Sequence, residues 1–337
     1  MVESSNVIKK NMLRETSDKL PEVTDEMWNK VLEDHRLLVN EYLEVNSQLS
    51  PKTSKQYLSG LKQFFYFVYK SLNNKHISEI TKRDFLRYLG YLESRGMSSS
   101  AKGLKKSTVS SLCNYIENVL LDEMPIYKNF RNFTKGLPSI PKNQTYEKIK
   151  ITKEEYQLMI NTLIEKRNYM GAAWVAMAFN VGARRGELRQ FKIELLDYPI
   201  PEGQNYILSH VVRGKGASLD GKPLKFMVNL EALRYIKLWI DNRDYDDEYI
   251  FTVKQNGKIM IISETWADKF CARVLSKILG RRINPHLFKA SCISTLLEDG
   301  VDLVLVSKYV AQHNDISTTS KFYDLREFEE EKNKIFK

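Results

Sequence analysis

The stretch YVAQHNDISTTSKFY, residues 309–323 of a 337-residue chain, joins one histidine to a tyrosine across a polar, threonine-rich helix start. His313 and Tyr323 are its informative side chains. Upstream, PHLFKAS (285–291) opens a helix on which His286 and Lys289 are three residues apart and so share a face. Further back, RGKG (213–216) stands at the end of a strand-like run. Its glycines let the backbone turn sharply against a ligand, and Lys215 can donate a proton or steady a leaving oxygen. GARRGEL (182–188) follows a strongly apolar helix expected over Tyr169–Val181. It sets Arg184 where the next helix starts, with Glu187 and Leu188 to anchor the turn. A guanidinium held there is a rigid fork for two phosphate oxygens. Taken singly, each piece also has a plain reading: an aromatic near the tail, a capping histidine, a solvated hairpin tip, a surface turn.

The rest of the second half is helical with a little strand. Thr152 and Glu155 form a capping box opening a helix to about Arg167. Ile207–Val212 and Leu224–Val228 are short strand-like runs, Leu230–Asp241 is helical, and Tyr249–Ile262 reads as a hairpin around Asn256-Gly257. Helices follow at about 263–279, 286–298 and 302–311. The charged tail beyond Tyr323 carries Leu325, Phe328, Ile335 and Phe336 as anchors. The front half is all helix: Glu26 to about Asn46, Pro51–Leu72, Ser78–Arg95 and Ser107–Leu121, with MSSSAKGLKKS (97–107) as a loop. Met124–Lys150, with Pro125, Gly136, Pro138 and Pro141, reads as a linker. The expected organisation is a flexible tail (1–24), an all-helical front domain (25–140), a basic linker (141–150) and a larger helical domain with a minor sheet (151–337).

Lys plus Arg is 52 against 42 Asp plus Glu, a net charge of +10 that favours an anionic partner such as nucleic acid. Residues 52–75 hold five lysines and no acid. At 42% apolar and 28% charged residues the chain can build a real core, which excludes wholesale disorder. No apolar run is long enough for a membrane helix, and the N-terminus lacks a secretory centre, so a cytoplasmic location and no membrane partner are expected. Cys113, Cys271 and Cys292 show no CxxC spacing, which argues against a disulfide scaffold or a zinc site.

In this order, the four boxes resemble those of the tyrosine recombinases, the phage-integrase family. The family pattern is Arg in a G-x-R-x-x-E-L turn, Lys in a β-turn, His-x-x-Arg opening a helix, a His in L-G-H, and a Tyr nine or ten residues later. Arg184, Lys215, His286, His313 and Tyr323 match it. The opening Ser50-Pro51-Lys52-Thr53 resembles the family's core-binding domain, so the likeness runs from about residue 30 to the end. Two positions depart. The family's second arginine is Lys289, which keeps charge but loses the bidentate fork. The glycine before the second histidine is Gln312.

The resemblance implies a mainly α fold: an all-helical core-binding domain plus a mixed α/β catalytic domain, helical with a small antiparallel sheet. It implies a site-specific recombinase, an integrase of a mobile element, in which Tyr323 attacks phosphorus to give a 3′-phosphotyrosyl bond. Arg184, Lys289 and the histidines would neutralise the phosphate, and Lys215 would protonate the leaving 5′-oxygen. His286 is the better candidate for taking the tyrosine proton, and His313 for holding the phosphate. No metal or other cofactor is called for. Partners would be double-stranded DNA with paired sites, three further copies in a tetramer docked through the tail, and in some systems a DNA-bending protein. Backbone contacts are expected from Lys52, Lys55, Lys62, Lys102, Lys105, Lys106, Lys135 and Lys142. A catalytically weak DNA-binding protein and a type IB topoisomerase-like enzyme are the alternatives.

Overall fold

The computed structural model describes residues 20, 22–141, 149–216 and 221–326. They fall into two compact units, one within residues 9–147 and one from residue 148 onward.

The first unit is helical. The run expected as one helix from Glu26 is two, Asp25–Asn29 and Glu33–Val45. Asn74 clamps the break: its Oδ1 accepts the Leu32 N–H (3.2 Å) and its amide donates to the Lys30 carbonyl (3.2 Å). Pro51–Ser71 follows, with Ser50 capping it and Pro51 in the first turn, where a missing N–H costs nothing. The helix expected from Ser78 starts later, as Lys82–Ser94, because Thr81 and Asp84 form a reciprocal capping box. Phe64, Phe65, Phe85 and Tyr88 interlock at its centre, with Phe64 and Tyr88 ring centroids 5.1 Å apart, edge to face. Buried His35 stacks on Phe65 and accepts the Ile77 N–H at 2.9 Å. Burial, with His76 nearby, pushes it down to about 3, so it is neutral in the fold.

Residues 97–107 correct the expectation of a loop. Ser98 caps a helix, Ser99–Tyr115, that runs through the whole segment. Its Ser and Gly residues are weak helix formers, but Val109, Leu112 and Cys113 on the same helix are fully buried, and packing outweighs propensity. The helix crosses Pro51–Ser71 closely enough that a Cβ on Gly60 would sit 3.0 Å from Thr108 Cγ2.

The second unit is built around Tyr169–Val181, a helix apolar on every side and buried along its length. Lys153–Glu165, Leu230–Asp241 and Pro285–Glu298 pack against it. Thr152 and Glu155 form the expected capping box, and Glu155 also receives Arg281 at 2.6 Å. Each run expected as one strand is split in two. β1 (Tyr206–Leu208) pairs antiparallel with β4 (Met227–Asn229), and β2 (Val212–Gly214) with β3 (Lys222–Leu224). Between the ladders Ser209 bonds Phe226 by backbone and side chain, both at 2.9 Å, and its hydroxyl interrupts the regular pairing. β5 (Thr252–Gln255) and β6 (Lys258–Ile261) form the hairpin at Asn256-Gly257, both residues having positive φ.

The helix expected over 263–279 is continuous but passes through a π-helical turn, Cys271–Leu275. Leu303–Leu305 likewise widens into Val306–Ala311. Among the described residues no helix is long and apolar enough to cross a membrane, and no group of three His, Cys, Asp or Glu could hold a metal. All three cysteines are free thiols and buried.

Candidate active site

The chain leaves Tyr169–Val181 at Gly182, whose φ of +66° is left-handed. A Cβ there would lie 3.1 Å from Val310 Cγ1 and 3.3 Å from Cys292 Sγ, so any side chain would crowd both neighbours in a backbone conformation that favours glycine. The turn delivers Arg184 to the start of the helix Arg185–Leu188. Glu187, buried, accepts the Arg184 backbone N–H at 2.6 Å and its guanidinium at 3.0 Å. The guanidinium is therefore aimed before any ligand arrives, and a third of it still faces solvent.

Gln190 ties the Lys215 hairpin to this turn. Its amide donates to the Arg213 carbonyl (2.8 Å) and its oxygen accepts the Arg213 N–H (2.9 Å). A Cβ on Gly214 would approach Glu187 Oε1 to 3.1 Å, so strand end and arginine turn are in contact. Lys215 itself is exposed just beyond β2.

His286 and Lys289 lie in the first turns of Pro285–Glu298, capped by Asn284. His286 is exposed and meets the Tyr323 ring edge-on, centroids 5.2 Å apart. Lys289 is 1% exposed and donates to the Gly182 carbonyl at 2.7 Å, the C-terminal end of the central helix, where positive charge is favoured. Burial first, and the Arg184 charge second, lower its ammonium to about 8.

Gln312 occupies the left-handed region (φ 54°) where the family pattern has glycine. Its amide donates to the Lys225 carbonyl at 2.6 Å, which offsets a backbone cost of about 1 kcal/mol. His313 follows, its ring centroid 4.6 Å from that of Tyr323. His313 Nδ1 lies 2.9 Å from Thr319 Oγ1, and the Thr319 hydroxyl donates to Ser307 Oγ at 2.8 Å. Burial, then the charges of Lys289, Arg184, His286 and Lys222, push the imidazole down to about 4, so it is neutral at pH 7. Tyr323 ends the helix Ile316–Phe322, 6% exposed. Its carbonyl accepts the Ser294 hydroxyl at 2.8 Å, and the Ser294 Oγ in turn accepts the Leu325 N–H at 2.9 Å, which pins the backbone at the tyrosine.

Arg184, His286, Lys289, His313 and Tyr323 thus share one locality. Lys222, Thr319 and Ser307 were not anticipated. Lys222 bonds Asn314 Oδ1 at 2.7 Å and pairs across the hairpin with Gly214. The signal for it was the hairpin register, which carries any residue opposite Gly214 to the same wall.

The backbone-contact lysines divide. Lys52 and Lys55 are exposed on the first turns of Pro51–Ser71, and Lys106 is half-buried. Lys62 is paired with Asp25 at 3.2 Å and Lys135 with Glu117 at 2.5 Å. Lys102 is buried and bonded to Glu93, because residue 102 lies on a helix and not on the loop expected there. Lys105 is half-buried, with its ammonium lowered by desolvation. Lys142 lies outside the described residues.

The fold and this cluster match what the sequence boxes lead one to expect of a DNA strand transferase, and comparison with known proteins identifies the family. The family model "Phage integrase family" matches residues 150–329, and "Phage integrase, N-terminal SAM-like domain" matches 36–123. The chain belongs to the phage integrase family, the tyrosine recombinases. It is similar to the SPbeta prophage-derived recombinase-like protein YomM of Bacillus subtilis strain 168, 59% identical over 98% of both chains. Among solved structures it resembles the Tn1549 transposon integrase in complex with transposon right-end DNA (TM-score 0.64, 16% identity, 90% of this chain and 98% of that one). It also resembles the XerH site-specific recombinase bound to palindromic difH substrate (TM-score 0.64, 18% identity, 84% and 80%).

Proposed function

We propose that this chain is a site-specific DNA recombinase, the integrase of a mobile element, acting on double-stranded DNA through a 3′-phosphotyrosyl intermediate on Tyr323. The observation that carries the reading is the packing of two histidine rings on one tyrosine beside Arg184 and Lys289. A phosphodiester under attack gains charge on its equatorial oxygens. Arg184 supplies the fork, Lys289 adds charge from behind the Gly182 turn, and Lys215 protonates the departing 5′-oxygen. The covalent link conserves the energy of the phosphodiester, so rejoining needs no nucleotide. Lys52, Lys55 and Lys106 are the cations best placed to meet the DNA backbone.

The test uses nicked, end-labelled duplexes from the DNA flanking the protein's own gene. A labelled complex that survives denaturation supports the proposal. Salt-sensitive binding with no such complex leaves a DNA-binding protein.

Lys289 makes the chemistry pH-dependent. Its folded value of about 8 means that kcat/KM for cleavage falls as pH rises through that point and the ammonium is lost. In Lys289→Arg the guanidinium stays charged and this limb disappears from the pH–rate profile. A native profile that does not fall until well above pH 9 counts against the role given to Lys289. Because folding lowers this lysine from its usual 10.5, the unfolded chain binds more protons between about pH 8 and 10.5, and the lysine's cost to stability is relieved across that window.

A tetramer on paired sites, docked through the tail, is part of the same proposal. Leu325 packs beside Tyr323, and Arg326 is bonded to Asp324 and to the Leu297 carbonyl, so both belong to the protomer's own fold. Phe328, Ile335 and Phe336 lie outside the described residues. Truncation after Arg326 is expected to weaken cooperative binding to paired sites about tenfold or more while single-site binding holds. Equal loss of both rejects the tail as the docking element.

A further inference from the structure

His313 is held at one ring nitrogen only. The Thr319 hydroxyl gives its proton to Ser307, so the oxygen facing His313 is an acceptor, and Nδ1 must be the nitrogen that carries hydrogen. Nε2 is buried and meets no hydrogen-bond partner among the described residues. A bare, buried, unpaired imidazole nitrogen beside a tyrosine is costly unless the reaction uses it. Thr319 is fully buried and Ser307 nearly so, so water does not compete for this pair of bonds.

We propose that Thr319, backed by Ser307, is a positioning residue that locks His313 with its proton on Nδ1, so that Nε2 accepts the proton of Tyr323 during cleavage. This rests on Tyr323 being the nucleophile. As the Tyr323 oxygen bonds to phosphorus, its proton passes to Nε2. The bond from phosphorus to the 5′-oxygen breaks, and that oxygen leaves with the electron pair and takes a proton from Lys215. The imidazolium so formed then donates from Nε2 to a nonbridging phosphate oxygen. The proton-accepting role expected of His286 passes to His313, whose ring is nearer the tyrosine (4.6 against 5.2 Å) and more shielded from solvent. The groups that face His313 are Lys289 and His286 from Pro285–Glu298, Arg184 from its turn and Lys222 from β3. All are basic and, after burial itself, keep the imidazole neutral and able to accept a proton.

The full-length chain, labelled with ¹⁵N-histidine and free of DNA at pH 7, tests this directly, the His313 signals being identified by their loss in His313→Gln. Nδ1 resonating as the protonated nitrogen and Nε2 as the bare one is the expected result, and the reverse overturns the proposal. Thr319→Val is expected to populate both tautomers and to lower the cleavage rate roughly ten- to hundredfold. Thr319→Ser is expected to restore both tautomer and rate. A Thr319→Val protein with the native tautomer, or a serine variant as slow as the valine one, rejects the role. If Tyr323 is not the nucleophile, the failure looks different: the tautomer is as expected, yet cleavage persists in Tyr323→Phe.

Discussion

Tyr323→Phe is expected to abolish the covalent protein–DNA complex, lowering strand cleavage on the order of 10⁴-fold or more, while DNA binding stays within about threefold. The substitution removes one oxygen from a ring that is already packed by His286 and His313 and keeps its place in the buried cluster with Ala290, Ile293 and Val306. Ser294 bonds the Tyr323 carbonyl and Leu325 bonds Ser294, and phenylalanine keeps both of these backbone bonds. Stability should change by less than about 1 kcal/mol. The measurement is a denaturing gel of end-labelled nicked duplex beside a salt titration of binding. A complex that persists in the variant would mean that a different tyrosine attacks.

The second large effect is at Arg184. Arg184→Lys keeps the charge but gives up the planar fork, and cleavage is expected to fall about 10²- to 10³-fold with modest loss of affinity. Arg184→Ala should lose at least as much activity and also stability, about 1–3 kcal/mol, because Glu187 is buried and would keep only the backbone N–H of residue 184. A further consequence separates the two variants. The Arg184 charge helps to depress Lys289, so in Arg184→Ala the Lys289 ammonium moves back toward its usual range. The alkaline fall in residual activity should then move to higher pH in the alanine variant and stay near its native position in the lysine one. Residual rates measured from pH 7 to 10, with melting temperatures alongside, check both statements. An alanine variant that cleaves within tenfold of the native protein would remove Arg184 from the phosphate site.

The helix Tyr169–Val181 was legible to the residue, since a run apolar on all sides between Asn168 and Gly182 has only a buried helix to form. Among the proposed site residues, Arg184, Lys215 and His286 stand at punctuation marks visible in the sequence: a left-handed glycine, a hairpin and a proline-started helix. What sequence alone missed depends on side chains distant along the chain. Asn74 breaks a helix more than 40 residues earlier by bonding Lys30 and Leu32. Ser209 splits two strands through Phe226. The serine and lysine run at 97–107 has loop composition, and only the burial of Val109 and Leu112 further along shows that it is helix. Lys102 was misplaced for that reason, its charge taken up by Glu93. The Thr319–Ser307 pair was hidden because two hydroxyls twelve residues apart carry no pattern until the π-helical turn brings Ser307 round to face Thr319.

The three thiols have a practical corollary. Cys113 and Cys271 are fully buried and Cys292 is 3% exposed, and burial raises all three well above the range in which a thiolate forms near neutral pH, Cys292 to about 12. Maleimide dyes react with thiolates at exposed positions, so the native protein should pass through such a reaction unlabelled. One cysteine introduced at an exposed position of each unit, Lys55 and Met260 for example, then becomes a unique handle without stripping the natural ones. A fluorophore pair placed this way would report, by energy transfer in single molecules, any change in the distance between the two labels when duplex DNA is added.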